Sequence, residues 1–341
     1  MPARARSDSA TNNKAINWCT AIHHRGCSSL ESRKATAGSS HYASKIDWNK
    51  LRPIIINRIR NRVNDYPIRS MIPVAKDVLK SQEILWKGVS FLLNVIPVKA
   101  CNSCPEVYIG KTGHQINTCR GFKKRAKNLP HQWTEGKLND ILPRVESYHL
   151  QHMRKSMIKH DQRFDLPRVP AILELCHQAG VEIPDEVLYS YYRESYDSIE
   201  YPGQVATLLG EDIQSIAVTT LDAWENLRLG LQKLLFVYPV KVCQYCSEIH
   251  VGPTGHKVRV CGLFKHESWR GIHKWKRAEV DDLVPPKVVW HRRPQDPPVL
   301  LDHGRNFYGH APAVVELCIQ AGARVHPKYF CIMKIHGFPG N

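Results

Sequence analysis

The stretch PVKACNSCPEVYIGKTGHQINTC, residues 97–119, returns as PVKVCQYCSEIHVGPTGHKVRVC, residues 239–261. Both copies carry the spacing Cys-x2-Cys-x9-His-x4-Cys: Cys101, Cys104, His114 and Cys119, then Cys243, Cys246, His256 and Cys261. A lone Cys-x2-Cys pair is weak evidence, whereas a full set of four soft donors occurring twice at one spacing is strong. Zinc takes four nitrogen or sulfur ligands in a tetrahedron, and a two-residue gap lets two thiolates grip one ion from a single turn. The Gly- and Thr-rich segment between the pairs permits tight backbone close to the metal.

Worked outward, an offset of 142 residues superimposes the two halves without a gap. Phe122-Lys123 falls on Phe264-Lys265, His131 and Trp133 on His273 and Trp275, His149 on His291, and Pro170-Ala171 on Pro312-Ala313. Glu174-Leu175-Cys176 and Gln178-Ala179-Gly180 meet Glu316-Leu317-Cys318 and Gln320-Ala321-Gly322. Self-similarity at a fixed period is the mark of a repeat protein. The expected organisation is a tail over 1–45, a basic amphipathic helical segment over 46–85, and repeat one over 86–184. An acidic linker over 185–227, repeat two over 228–326 and a C-terminal tail over 327–341 complete it.

Helical spacing of apolar residues predicts a helix over Val74–Val95, stopped by Pro97, and another over Leu221–Val237, stopped by Pro239. A short closing helix is expected to start at Pro170 or Pro312, with Gly180 or Gly322 at its left-handed C-terminus. The fold class read from this plan is mainly α, a tandem repeat of two homologous domains built on small zinc-stabilised loop or hairpin units.

The formal net charge is +17, which calls for an anionic partner. Residues 181–230 oppose the trend, with ten acidic side chains against two basic ones, Arg193 and Arg228. A polyanion should therefore contact the flanks and avoid the middle. No apolar run approaches the ~20 residues of a membrane-spanning helix, and no membrane partner is expected. The first 45 residues are rich in Arg and Ser and hold two acids, Asp8 and Glu31, the composition of an organelle transit peptide. Eleven cysteines, an odd number, speak against a complete disulfide framework.

Three thiolates and one imidazole would fill all four positions of a zinc ion, and a closed site is structural. Which histidine serves is open: His131 and His273 are also paired by the repeat and either replace His114 and His256 or orient the ligands from behind. Cys176 and Cys318 lie on the apolar closing helix, where a cysteine behaves as a small hydrophobe.

Candidate RNA contacts follow the last cysteine of each unit: Phe122, Lys123, Lys124, Arg125 and Lys127 in the first, Phe264, Lys265, Arg270, Lys274, Lys276 and Arg277 in the second. Cations neutralise phosphate, while Phe122, Phe264, Trp133 and Trp275 either pack in the core or stack on unpaired bases. No catalytic residues are assigned. The deaminase signature and the phosphate-cradling Gly loop are both missing. His131, His149, His273 and His291 each read as a lone histidine without the carboxylate pair of a metal nuclease.

These motifs resemble the plant APO (accumulation of photosystem one) family: the twin Cys/His units, the PVKxC lead-in, the Gly-x-Thr-Gly-His turn, the His-x-Trp segments and the ELCxQAG closing helix. The resemblance covers about residues 46–330. It implies an organelle RNA-binding protein with two zinc ions per chain, held by Cys101, Cys104, His114, Cys119 and Cys243, Cys246, His256, Cys261. It further implies a role in group II intron splicing or transcript maturation, with RNA and other splicing factors as partners and no small-molecule substrate. The short presequence resembles the mitochondrial branch; the chloroplast is the alternative. A protein scaffold in splicing or ribosome assembly is the competing expectation.

Overall fold

The computed structural model describes Pro53 and residues 66–121, 128–153, 157–188, 212–262 and 270–335. In the first repeat, helix α1 (Ile72–Val95) leads into a three-stranded antiparallel sheet of β1 (Val98–Cys101), β2 (Val107–Ile109) and β3 (Trp133–Glu135), with β1 central. The short helix α2 (Leu138–Ile141), the ladder of β4 (Glu146–Tyr148) with β5 (Arg168–Pro170), and the closing helix α3 (Ala171–Gln178) follow. The second repeat runs in the same order: α4 (Ile213–Val237), β6 (Val240–Cys243), β7 (Ile249–Val251), β8 (Trp275–Arg277) and α5 (Val280–Leu283). It ends with β9 (Val288–His291), β10 (Gly309–Pro312) and α6 (Ala313–Gln320), after which α7 (Phe330–Met333) is added. Even the strand registers repeat, Val98 facing Ile109 as Val240 faces Val251.

The long helices form because their apolar positions recur every three or four residues. The buried stripe of α1 includes Ala75, Val78, Gln82, Leu85, Gly88, Val89 and Leu92. In α4 it includes the 142-shifted partners Ala217, Thr220, Trp224, Leu227, Gly230, Leu231 and Leu234. The two helices pack antiparallel. A Cβ on Gly88 would sit 1.9 Å from Thr220 Oγ1, and one on Gly230 would sit 2.5 Å from Val78 Cγ2. Gly88 corresponds to Gly230 and Val78 to Thr220, so one contact is made twice about a pseudo-two-fold axis. Fully buried leucines such as Leu85, Leu92, Leu227 and Leu231 line this seam, each worth about 1.5–3 kcal/mol of burial.

Strands and loops obey the same two-fold. Helix α3 packs on β7, and α6 packs on β2. Gln115 N–H donates to Leu300 O at 2.8 Å, and Lys257 N–H to Ile158 O at 2.8 Å. One satellite core joins Tyr108 and Ile116 to Leu300 and Tyr308; the other joins Val258 to Tyr148, Leu150 and Ile158. Each repeat is thus completed by the other, and the described residues from Tyr66 onward pack as one compact body. Among the described residues no helix is long and apolar enough to cross a membrane.

Boundaries read from sequence shift where composition misleads. Helix α4 begins at Ile213, eight residues before Leu221, so 213–227 is repeat and not linker; Asp212 caps it by accepting from Gln214 N–H at 3.2 Å. Likewise residues 72–85 of the expected basic segment belong to α1. Residues 327–335, expected in the tail, put Tyr329 and Met333 into the core. Of the basic helix expected over 46–70, residues 46–65 lie outside the described residues, Pro53 apart, and 66–71 hold only a short 3-10 turn, Arg69–Met71; the transit segment and most of the linker also lie outside.

The closing helices end on the expected glycines. In α3, Gly180 (φ 92°) donates to His177 O and Val181 N–H to Cys176 O, and α6 repeats this with Gly322, Ile319, Ala323 and Cys318. Pro170 and Pro312 cap these helices from the last strand residue instead of opening them. Cys176 and Cys318 are fully buried, and burial pushes the Cys318 thiol up to about 12, as suits core residues. From α3, the buried Glu174 accepts from Leu150 N–H at 3.1 Å and pairs with His149 Nδ1 at 2.7 Å. Glu316 does the same for Arg292 N–H and His291. The two histidines are therefore not lone: each is tied to a single carboxylate that anchors a strand exit to a helix.

Two outcomes are expected. Gly88→Ala gains helix propensity yet should lose about 1–3 kcal/mol in urea unfolding, because its Cβ meets Thr220 across the seam. The Glu174 hydrogen bond raises the pKa of His149, so its contribution is full below the unfolded value of about 6.5 and fades as pH climbs through the folded one. The melting-temperature gap between wild type and His149→Gln should narrow from mildly acidic to alkaline pH.

Candidate metal centres and basic surface

Strand β1 delivers Cys101 at its last position, and the turn after it presents Cys104. Asn102 N–H donates to Gln132 O at 2.9 Å, which draws His131 alongside, while Cys119 and Leu129 exchange both backbone hydrogen bonds. The donor atoms of Cys101, Cys104, Cys119 and His131 all lie within 4.8 Å of one another, and so do those of Cys243, Cys246, Cys261 and His273. Cys101 Sγ is 4.0 Å from Cys119 Sγ, and Cys104 Sγ is 3.4 Å from His131 Nδ1; the second centre gives 4.0 and 3.3 Å. Bonds of zinc length imply tetrahedron edges of about 3.5–3.8 Å, so both donor sets fit one tetrahedral ion.

The structure gathers the farther histidine to the thiols, not His114 or His256. His114 Nδ1 accepts from Ile116 N–H at 3.1 Å, and its Nε2 donates to Glu106 Oε1 at 2.9 Å, so both ring nitrogens are committed. His256 Nδ1 likewise accepts from Val258 N–H at 3.2 Å. The Gly-x-Thr-Gly-His turn aims this imidazole inward under a tryptophan instead. Trp133 Nε1 donates to His114 O at 3.2 Å and Trp275 Nε1 to His256 O at 3.0 Å. Gly113 (φ 78°) has no room for a side chain, since a Cβ would stand 2.4 Å from the Trp133 ring.

Burial raises the Cys104 thiol to about 12 and the Cys246 thiol to about 12, with the neighbouring cysteines adding to the rise. Burial also acts on Cys243, yet hydrogen bonds from His273 and backbone N–H groups lower it to about 6. Three thiols this close oppose one another's ionisation, an opposition that a divalent cation relieves.

Glu106 sits behind the first centre. Burial would raise it, but His114 and Trp290 hydrogen bonds hold it at about 2. It accepts from His114 Nε2, from Trp290 Nε1 at 2.8 Å and from Thr118 Oγ1 at 3.0 Å, and faces His131 Nε2 at 3.4 Å. A carboxylate behind the imidazole fixes the ring and strengthens it as a ligand. At the second centre Glu248 is in register with Glu106 but is bound by Arg168 Nη1 at 2.6 Å and faces His256 Nε2 at 3.7 Å, with no hydrogen bond to His273. The Cys/His spacing does not single out Glu106 and Glu248, although they too are a pair in the 142-residue register.

Of the expected RNA contacts, Lys274, Lys276 and Arg270 are exposed. Arg277 is tethered, donating to Leu235 O at 2.7 Å. Trp133 and Trp275 are half-buried and pack on the turn glycines and histidines, closer to core residues than to stacking platforms. Phe122, Lys123, Lys124, Arg125, Lys127, Phe264 and Lys265 lie outside the described residues.

A family model described as APO RNA-binding matches twice, over residues 42–193 and 192–334. Among curated proteins, the chain is similar to three from Arabidopsis thaliana. It is 40% identical to APO protein 1, chloroplastic, across 80% of this chain and 70% of that one. APO protein 2, chloroplastic, is 38% identical over 82% and 70%. APO protein 3, mitochondrial, is 35% identical over 80% and 74%. No solved structure matches.

Metal analysis separates the two histidines of each unit. His131→Ala should bind one zinc fewer than wild type, while His114→Gln should keep the full content and lose stability. The reverse pattern would return the ligand role to His114.

Proposed function

Since the chain belongs to the APO RNA-binding family and carries two copies of its domain, we propose that it binds organelle RNA through a surface shaped by two structural zinc ions. The observation that carries this reading is the pair of Cys3His clusters, which offer four protein donors each and so leave no position for a substrate or water. The chemistry such an ion supplies is cross-linking. Cys101 and Cys104 fix the end of β1, while Cys119 and His131 fix the ends of the chain that carries the basic segment. Glu106 stands behind the His131 imidazole, whereas Glu248 is taken up by Arg168.

On this surface Lys274, Lys276 and Arg270 neutralise phosphates, and the sequence after Cys119 and Cys261 supplies further basic residues. The finer role is promotion of group II intron splicing or maturation of organelle transcripts, the RNA itself supplying the splicing chemistry. The relatives' names divide between chloroplast and mitochondrion. The Arg- and Ser-rich, acid-poor first 45 residues suit a transit peptide for either organelle.

Filter binding with intron RNA tests the proposal. Affinity should fall steeply with salt. Replacing Lys274 and Lys276 with Gln should weaken binding and lower the salt slope by roughly one for each phosphate no longer neutralised. A zinc-loaded chain that retains no RNA at micromolar concentration would favour the scaffold reading.

A further inference from the structure

The two centres are related by the repeat, yet they are not finished alike. Beside the first lies a cavity of about 350 Å³ between the repeats, lined by Glu106, Thr118 and Arg120 on one side and Val289, Trp290 and His310 on the other. The Trp290 and His310 rings lie 4.2 Å apart between centroids, tilted by 37°. Arg120 is exposed at this cavity. At the second centre the residues in register are Tyr148 for Trp290 and Arg168 for His310. There the Arg168 guanidinium lies 4.8 Å over the Tyr148 ring and bonds to Glu248 at 2.6 Å and to Glu146 at 3.3 Å. A charged side chain thus latches one site across the repeats. In the other, a shorter imidazole leaves the glutamate to Trp290, Thr118 and His114.

We infer that the cavity beside the first centre receives one unpaired base of an RNA strand, with an adjoining phosphate on Arg120. This rests on the RNA-binding reading above and deepens it. The volume falls within the range of small-ligand sites. Aromatic rings offer a stacking face indifferent to base identity, and a cation beside them meets the backbone. Lys287, whose ammonium group bonds to Pro105 O, adds a second positive charge near this edge.

The test is His310→Arg in the full, zinc-loaded chain, which installs the latch that the second centre already tolerates; Arg168→His is the reverse exchange. His310→Arg should keep its zinc and melting temperature, and bind single-stranded RNA roughly 5- to 100-fold more weakly. In wild type, an oligonucleotide bearing 4-thiouridine should cross-link to the peptide containing Trp290 or His310, and His310→Arg should lose that product. The cross-link map stands as evidence even if the variant folds poorly. Unchanged affinity in a folded variant, cross-links confined elsewhere, or a nucleoside monophosphate binding as tightly as the oligonucleotide would each overturn the inference while leaving RNA binding intact. A wild-type chain that retains no RNA overturns the RNA-binding reading itself, so the two failures are distinguishable.

Discussion

The rest of the structure hangs on the antiparallel contact of two long helices, where Gly88 meets Thr220 and Gly230 meets Val78. Without side chains at the two glycines the helices approach closely enough for leucines on either side to interlock. Because the contacts are equivalent under the repeat, they fix a two-fold axis, and everything attached to the helices inherits it. Each sheet is thereby set against the closing helix of the opposite repeat. The metal-binding loops never stand alone; each finds its last hydrogen bonds on the other half of the chain.

Glu106 shows how this architecture reaches the metal chemistry. Its carboxylate touches His114 within its own loop, faces the imidazole grouped with the three thiols, and accepts from Trp290 of the other repeat. An ion gripping Cys101, Cys104, Cys119 and His131 would stiffen the loop and, through Glu106, the seam between repeats. At the second centre Arg168 and Glu248 join the two repeats by a half-buried ion pair.

Much of this is legible in the sequence. The 142-residue register, both long helices, the Gly180 and Gly322 caps and the buried cysteines of the closing helices all rest on local periodicity or backbone preference, which sequence displays directly. The choice between His114 and His131 does not. Spacing favours the nearer ring, and only the fold shows that the N–H groups of Ile116 and Val258 take its Nδ1. The start of α4 is obscured because acidic residues around it read as linker while its buried stripe is carried by Ala217, Thr220 and Trp224. The partners Trp290 and His310 belong to the opposite repeat, and no local pattern joins them to the first centre.

A dimer of identical chains has two copies of every site, and any substitution appears in both. Here the two halves of a self-complementary interface are written in one chain, and that identity is no longer enforced. Thr118 faces Glu106 where the other half has Val260, Tyr108 stands where it has His250, and His310 where it has Arg168. Duplication within one chain keeps the symmetric scaffold and lets its two ends specialise, one latched for rigidity and one left with a cavity.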